Sequence, residues 1–306
     1  MATSSERAVE TLEAGGKLGL QQAQRPSRSL WQIAWRRFIR NRLAVASAIF
    51  LLLMYVTAIF APLVAPHDPD DVDIMNLHAR PSADHLLGTD ESGRDVLSRL
   101  IFGSRASMTV GLVAVMISVT IGSLIGGLAG YLGGFVDTLL MRLTDGMLSI
   151  PYFFLVLIVV AVFGPSFRNL IMVIGVSSWM AVARIVRSEV LRYKRFDFVL
   201  AAESIGASSP RVLFRHILPH TVPVVIVAAT LGVASAILLE SALSYLGLGI
   251  RPPTASWGNM LSNSQAYLWE NPILPLYPGA MIFLTVLAYN FLGDALRDSL
   301  DPQARD

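Results

Sequence analysis

Long apolar runs dominate the chain. A transmembrane helix needs about 20 mostly apolar residues with few charges. Residues 43–66, 106–136, 146–167 and 271–293 carry none, and 217–239 is interrupted only by His220. A sixth run, 169–183, is short and becomes adequate if Arg184 and Arg187 snorkel to the interface. The pattern predicts six spans. Ahead of the first, Leu30, Trp31, Ala34, Trp35 and Phe38 recur at helical spacing opposite Arg36, Arg37 and Arg40. That segment, 30–42, reads either as an amphipathic helix on the membrane surface or as a helical extension of span one. Gly122, Gly126 and Gly130 in span two form overlapping small-xxx-small repeats, which let helix backbones approach closely. Pro151 is expected to kink span three.

Composition supports the lipid reading. Of 306 residues, 54% are hydrophobic and 15% charged, well short of the roughly 25% charge that coats a soluble domain. Residues 1–29 are polar and mixed in charge. They read as a disordered cytoplasmic tail, and no cleaved signal peptide is expected. Charge placement orients the spans. Arg36, Arg37, Arg40 and Arg42 crowd the start of span one, and Arg184, Arg187, Arg192, Lys194, Arg195, Arg211 and Arg215 fill the connection between spans four and five. The loop 67–105 is acidic instead. Positive charge favours the cytoplasmic side, so both termini and the loop 191–219 are expected there, in a multi-pass protein of the cell inner membrane. Membrane lipid is therefore an expected partner. A net charge of +2 makes no case for nucleic acid.

Several chemistries are missing. With no cysteine, disulfides and thiolate chemistry drop out. Gly88-Thr-Asp-Glu-Ser-Gly93-Arg94-Asp95 has P-loop glycine spacing, but Arg94 and Asp95 replace the lysine and the Ser/Thr on which phosphate and magnesium binding depend. A turn built on Gly88 and Gly93 is the better reading. The five histidines show no metal-ligand spacing. His67, His78 and His85 share the outer loop with many carboxylates, where weak cation binding is conceivable but a solvated acidic loop is the stronger reading. No catalytic residue, metal or cofactor is expected in this chain. Ionisable groups near membrane segments point to transport paths or gates. Asp145 follows Arg142 by three residues, so the two can pair on one helix face as a gating or structural ion pair. Glu240, with Ser244 beside it, lies near the outer end of span five, open between helix packing and lining the mouth of a pore.

The loop 191–219 is too long for a simple connector. Val199 to Ile205 reads as one short helix, stopped by Gly206 at its C′ position. Ser209 and Pro210 read as N-cap and first residue of a second short helix, which Pro219 ends. Ala201 and Ala202 expose little side chain, so the first helix can seat in a groove of another protein. A surface helix pair that only tethers spans four and five is the alternative.

This segment resembles the EAA signature of permease subunits of binding-protein-dependent ABC importers. That signature is Glu-Ala-Ala, a glycine four residues after the second alanine, then Leu-Pro with its proline thirteen residues past the glycine. Ala201, Ala202, Gly206, Leu218 and Pro219 match it, while Leu200 replaces the glutamate and His216 stands where isoleucine is frequent. The wider chain resembles the C-type subunit of the dipeptide/oligopeptide/nickel branch. The resemblance runs through His85-Leu-Leu-Gly-Thr-Asp90, Gly93 to Arg99, Arg142 to Pro151, Glu240 to Gly249, Trp257-Gly258 and Leu292 to Pro302.

The resemblance implies an all-α polytopic fold of the type I ABC importer permease, with an interfacial helix at 30–42 and a core at 106–302. It implies that Leu200, Ala201, Ala202, Glu203, Gly206, Ala207, Leu218 and Pro219 serve ATPase coupling. The implied partners are a homologous second permease, two ATPase subunits that hydrolyse ATP, and an extracytoplasmic substrate-binding protein. The implied cargo is di- or oligopeptides, with nickel chelates, glutathione or another small solute as the alternative. An ion-coupled transporter is disfavoured by the absence of an internal repeat between the two halves.

Overall fold

A computed structural model describes residues 30–300 of the chain, apart from the side chains of Leu30, Trp31 and Ile33. Residues 1–29 and 301–306, including the Asp301-Pro302 that closes the resemblance, lie outside the described residues. Within them the chain is helical, and its only strand-like pairing is a single bridge between Thr89 and Asp95.

The first helix, α1 (Leu30–Arg40), is separated from α2 (Arg42–Ile59) by Asn41 alone. Asn41 is extended, and its side-chain oxygen accepts from the backbone N–H groups of Leu43 and Ala44 at 3.1 and 3.2 Å. This cap begins a new helix, so α1 is not a continuation of span one. α1 packs beside the last helix, with Ala34 buried and Trp35 and Ile39 exposed. α2 stops at Ile59, short of the predicted 66, and Pro62 opens a single-turn helix, α3 (Ala61–Val64).

The centre of the fold is α4 (Val96–Leu132), 37 residues long. It begins ten residues ahead of the predicted span, inside the charged outer loop. Asp95 caps it by accepting from the Ser98 N–H at 2.8 Å, and Gly133, at φ 66°, ends it. The glycine repeats do what their spacing predicts. A methyl group on Gly126 would sit 2.3 Å from the Ala183 carbonyl oxygen, and one on Gly122 would sit 2.8 Å from that of Trp179. The backbone of α8 (Trp179–Tyr193) therefore lies directly on the small face of α4.

Span three is α5 (Gly134–Leu148) and α6 (Tyr152–Phe163), which meet at Pro151 with a bend of 83°. The kink at Pro151 is as expected, but the segment starts at Gly134 instead of 146. Span four combines α7 (Phe167–Ser177) with α8, giving 27 residues from Phe167 to Tyr193. Its Arg184 and Arg187 are folded into ion pairs with α5. After the short α9 (Asp197–Ser204), α10 (Ser209–Tyr245) runs for 37 residues. The outer α11 (Trp257–Gln265) then leads to α12 (Ile273–Leu300).

Among the described residues five helices are long and apolar enough to cross a membrane, or six with α5–α6 counted as one bent span. Ile49, Leu52, Leu53, Val56 and Ile59 of α2 and Leu276, Phe283 and Leu284 of α12 face outward. An exposed apolar surface of that extent belongs against lipid or another membrane chain. The main core gathers Met108, Val110 and Ala114 of α4, Ile174 of α7, Ile237 and Leu243 of α10, Trp257 and Tyr289.

Candidate functional site

The α8–α10 connection is a built object. Backbone N–H groups of Gly206 and Ala207 donate to the carbonyls of Glu203 (3.0 Å) and Ala202 (3.1 Å). That is the paired bonding of a Schellman stop, with Gly206 in the left-handed region at φ 83°. No atom lies within 4 Å of where a Gly206 side chain would begin, so the glycine is needed for its backbone angle and not for space. Val199 and Ala202 point inward. Val199 joins a buried cluster with Tyr131 of α4, Val186 and Val190 of α8, and Val212, Leu213 and Ile217 of α10. Around it, His220 stacks on Tyr193 and lies against Phe198, and the Tyr131 hydroxyl donates to Glu203 at 3.3 Å. Lys194 reaches the Tyr131 carbonyl at 2.7 Å, satisfying the C-terminal end of α4.

The opposite face of α9 is open. Leu200 is 50% exposed and Ile205 88%, with Ala201 between them. Several expectations change here. The helix starts at Asp197, two residues early. Ala202 faces the protein's own core, so of the two alanines only Ala201 is presented outward. The second helix is not a separate short element. Ser208 holds its N-cap position in place of Ser209, and the helix passes Pro219 without stopping. A π-helical stretch, Val212–Ile217, precedes that proline. Its wider bonding pattern absorbs a residue that lacks an N–H. Leu218 and Pro219 consequently belong to the root of α10, where Leu218 packs on the buried cluster.

The pairing of Asp145 with Arg142 does not occur. Asp145 binds Arg184 of α8, while Asp137 receives Arg187 at 2.6 Å. Arg142 is exposed and makes no ion pair among the described residues. Helical spacing permitted the local pair, but two arginines on the facing helix bind the two aspartates of α5 and so tie α5 to α8.

At the other end of the molecule, the segment Gly88 to Asp95 with P-loop glycine spacing is a turn. Gly88 and Gly93 have φ of 78° and 77°, and a side chain on Gly93 would overlap the Asp73 carbonyl. Arg94 pairs with Asp90 (2.8 Å) and Glu91 (3.0 Å). Arg99 is almost fully buried, donating to the Pro69 carbonyl at 2.9 Å and lying 3.4 Å from Asp90. Hydrogen bonds from the Asn76 side chain and the Met75 N–H hold Asp73 below the usual carboxylate range.

Glu240 sits in the packing between helices, fully buried. It accepts from Ser107 of α4 at 2.8 Å and from Ser244 at 2.7 Å. Those hydroxyls in turn accept from the Trp257 N–H (3.3 Å) and the Ile250 N–H (3.1 Å). One carboxyl thus organises α4, α10 and the outer loop leading to α11. Trp257, which enters the sequence reading only through the resemblance, and Asn259, which the sequence reading does not name, complete this region. Trp257 is wholly buried and donates to the Leu100 carbonyl at 3.2 Å. Asn259 closes a capping box with Ser256, a signal readable in Ser256-Trp-Gly-Asn259.

A helical core with five or six candidate spans, a loop helix anchored on one face and an outer cap describe a multi-pass membrane protein. Residues 122–306 match the model of the binding-protein-dependent transport system inner membrane component family, and residues 29–81 that of the N-terminal transmembrane domain of oligopeptide transport permease C. The chain is 46% identical over 280 residues to the oligopeptide transport system permease protein OppC of Escherichia coli K12, covering 91% of this chain and 93% of that one. It is 44% identical over 279 residues to the glutathione transport system permease protein GsiD of Shigella flexneri serotype 5b, covering 91% and 92%. Among solved structures, an inward-facing MetNI methionine ABC transporter chain matches with a TM-score of 0.54 and 17% identity, over 66% of this chain and 96% of that one. The chain belongs to the family of inner-membrane components of binding-protein-dependent transport systems. It is a multi-pass permease subunit of an ABC importer.

Proposed function

We propose that this chain forms half of the translocation path of an ATP-driven importer of short peptides, with α9 as the helix that receives the motion of an ATPase. The carrying observation is the two-sided character of α9. Val199 anchors it in a cluster shared by α4, α8 and α10 and Ala202 is buried on the same helix, while Leu200, Ala201 and Ile205 face outward with nothing among the described residues covering them. A helix so anchored cannot move without its neighbours, so a push on its outer face is passed to three membrane helices as one body.

In this reading a homologous second permease supplies the other half of the path, and two ATPase subunits dock beneath. An extracytoplasmic binding protein delivers cargo at the face carrying the acidic loop. Both termini are cytoplasmic, following the arginines of α1 and α8. ATP hydrolysis belongs to the partner chains, because Arg94 and Asp95 are committed to the turn and the cap of α4 and not to a phosphate. Leu200, standing where a glutamate is usual, makes the docking contact apolar at that point. Near-equal identity to permeases named for oligopeptides and for glutathione supports cargo with peptide-like chemistry.

The test is uptake of a labelled tripeptide by the complete importer in proteoliposomes. Uptake is expected to vanish when the catalytic P-loop lysine of the partner ATPase is replaced, and glutathione is expected to compete. Persistent uptake without ATP hydrolysis would refute the coupling role. Uptake of a nickel chelate with no response to peptides would move the cargo to the other arm of the branch.

A further inference from the structure

His67, His85 and Asp95 lie far apart along the outer loop, yet their ligand atoms all fall within 4.8 Å of one another. His85 Nδ1 is 3.0 Å from Asp95 Oδ1, and His67 Nδ1 is 3.8 Å from the same oxygen. The two imidazole rings are neighbours, with centres 4.8 Å apart and planes tilted by 36°. Asp95 is 1% exposed, and among the described residues its carboxylate meets no arginine or lysine; its ionic neighbours are these two histidines.

A simple hydrogen bond from His85 to Asp95 accounts for one histidine but not the other. The His67 ring nitrogen points at the carboxylate from beyond hydrogen-bonding range. Two imidazoles that converge on one buried oxygen repel each other as cations. As neutral ligands both can bind one positive centre placed between them. Metal–nitrogen and metal–oxygen bonds of about 2.0–2.2 Å place neighbouring ligand atoms roughly 3.0–3.6 Å apart. The His85–Asp95 edge already has that length, while His67, whose side chain is 40% exposed, lies outside it and moves inward to complete the set.

The supporting shell is also in place. The second oxygen of Asp95 accepts from the Ser98 N–H at 2.8 Å, and the Ser98 hydroxyl accepts from the His67 N–H at 3.0 Å. Such second contacts orient metal ligands and tune their strength. The exposed His67 side leaves an entry route from solvent.

We propose that His67, His85 and Asp95 form a binding site for a divalent transition-metal ion of the zinc type, two imidazoles and one carboxylate being its characteristic borderline donor set. Bound there, the ion pins the chain leaving span one, at His67, to the capped start of α4, at Asp95. It is a structural staple on the face opposite α9. The site is independent of the coupling role of α9.

The test is Zn²⁺ binding to the full-length chain, free of any polyhistidine tag, in detergent or nanodiscs, measured by competition with a chromophoric chelator alongside the melting temperature. One ion per chain is expected, with a raised melting temperature. His67→Ala is expected to weaken binding at least about tenfold, the scale on which even supporting contacts act, and His85→Ala to do the same. His78→Ala, outside the cluster, should leave it unchanged. Because His85→Ala also removes a hydrogen bond to the cap of α4, the half-exposed His67 is the decisive position, with each variant's monodispersity checked by gel filtration. Absence of saturable binding overturns the proposal. So does binding that survives His67→Ala, or that falls equally with His78→Ala.

Discussion

Gly206 offers the sharpest test of how α9 is held. Its φ of 83° lies in the left-handed region, and no atom stands within 4 Å of an added side chain. The cost of substitution is therefore purely that of the backbone. For an ordinary L-residue this is about 1–2 kcal/mol, with a β-branched residue at the upper end and asparagine close to glycine. Chain strain of that size is relieved by loosening the Schellman turn, which lowers the fraction of molecules presenting α9 in its docked pose. Apparent affinity for the ATPase falls by the same fraction, so Gly206→Val should weaken docking about 5–30-fold. Gly206→Asn should stay near wild type despite its larger side chain. The assay is titration of purified ATPase onto the permease pair in nanodiscs, with membrane insertion checked separately. Equal loss in the valine and asparagine variants would show that bulk, not backbone angle, controls the site. Wild-type affinity for Gly206→Val would show that the turn does not position α9 at all.

Three further outcomes follow from the packing. Gly126→Ala forces a methyl against the Ala183 carbonyl and should lower stability by about 1–3 kcal/mol, seen as a fall in melting temperature, while Gly146→Ala, with open space around it, should not. Glu240→Leu strands the hydroxyls of Ser107 and Ser244 at about 1–3 kcal/mol each, whereas Glu240→Gln keeps an acceptor and should lose much less in the same thermal assay. A double-mutant cycle on Asp137→Asn and Arg187→Met should return a coupling energy of about 1 kcal/mol. A matching cycle on Asp145 and Arg142 should return none, since Asp145 engages Arg184 instead.

What was legible in the sequence was whatever the local pattern records. Apolar runs located each span, the glycine repeats marked the α4–α8 contact, and Gly206 announced the end of α9 because only its backbone angle is at stake. What was misread involved long-range pairing. The charge-free run of span two opens only at 106, after Arg105, yet Arg99 is buried against the Pro69 carbonyl and Asp90 and the helix starts at Val96. Asp145 was given the partner on its own helix face, and the fold gave it one from α8. Pro219 read as a stop, and the π-helical turn before it removed the conflict. The histidine–aspartate cluster had no sequence signature, because the outer loop must fold back on itself before His67 and His85 meet Asp95.

The chain contains no cysteine, so single cysteines can report directly on which face of α9 meets the ATPase. With one thiol placed on the ATPase surface beneath the membrane, Leu200→Cys, Ala201→Cys and Ile205→Cys should each form a disulfide in the assembled importer. The inward-facing Val199→Cys and Ala202→Cys should not. Cross-linking from the inward positions alone, or from none of the five, would contradict α9 as the coupling helix.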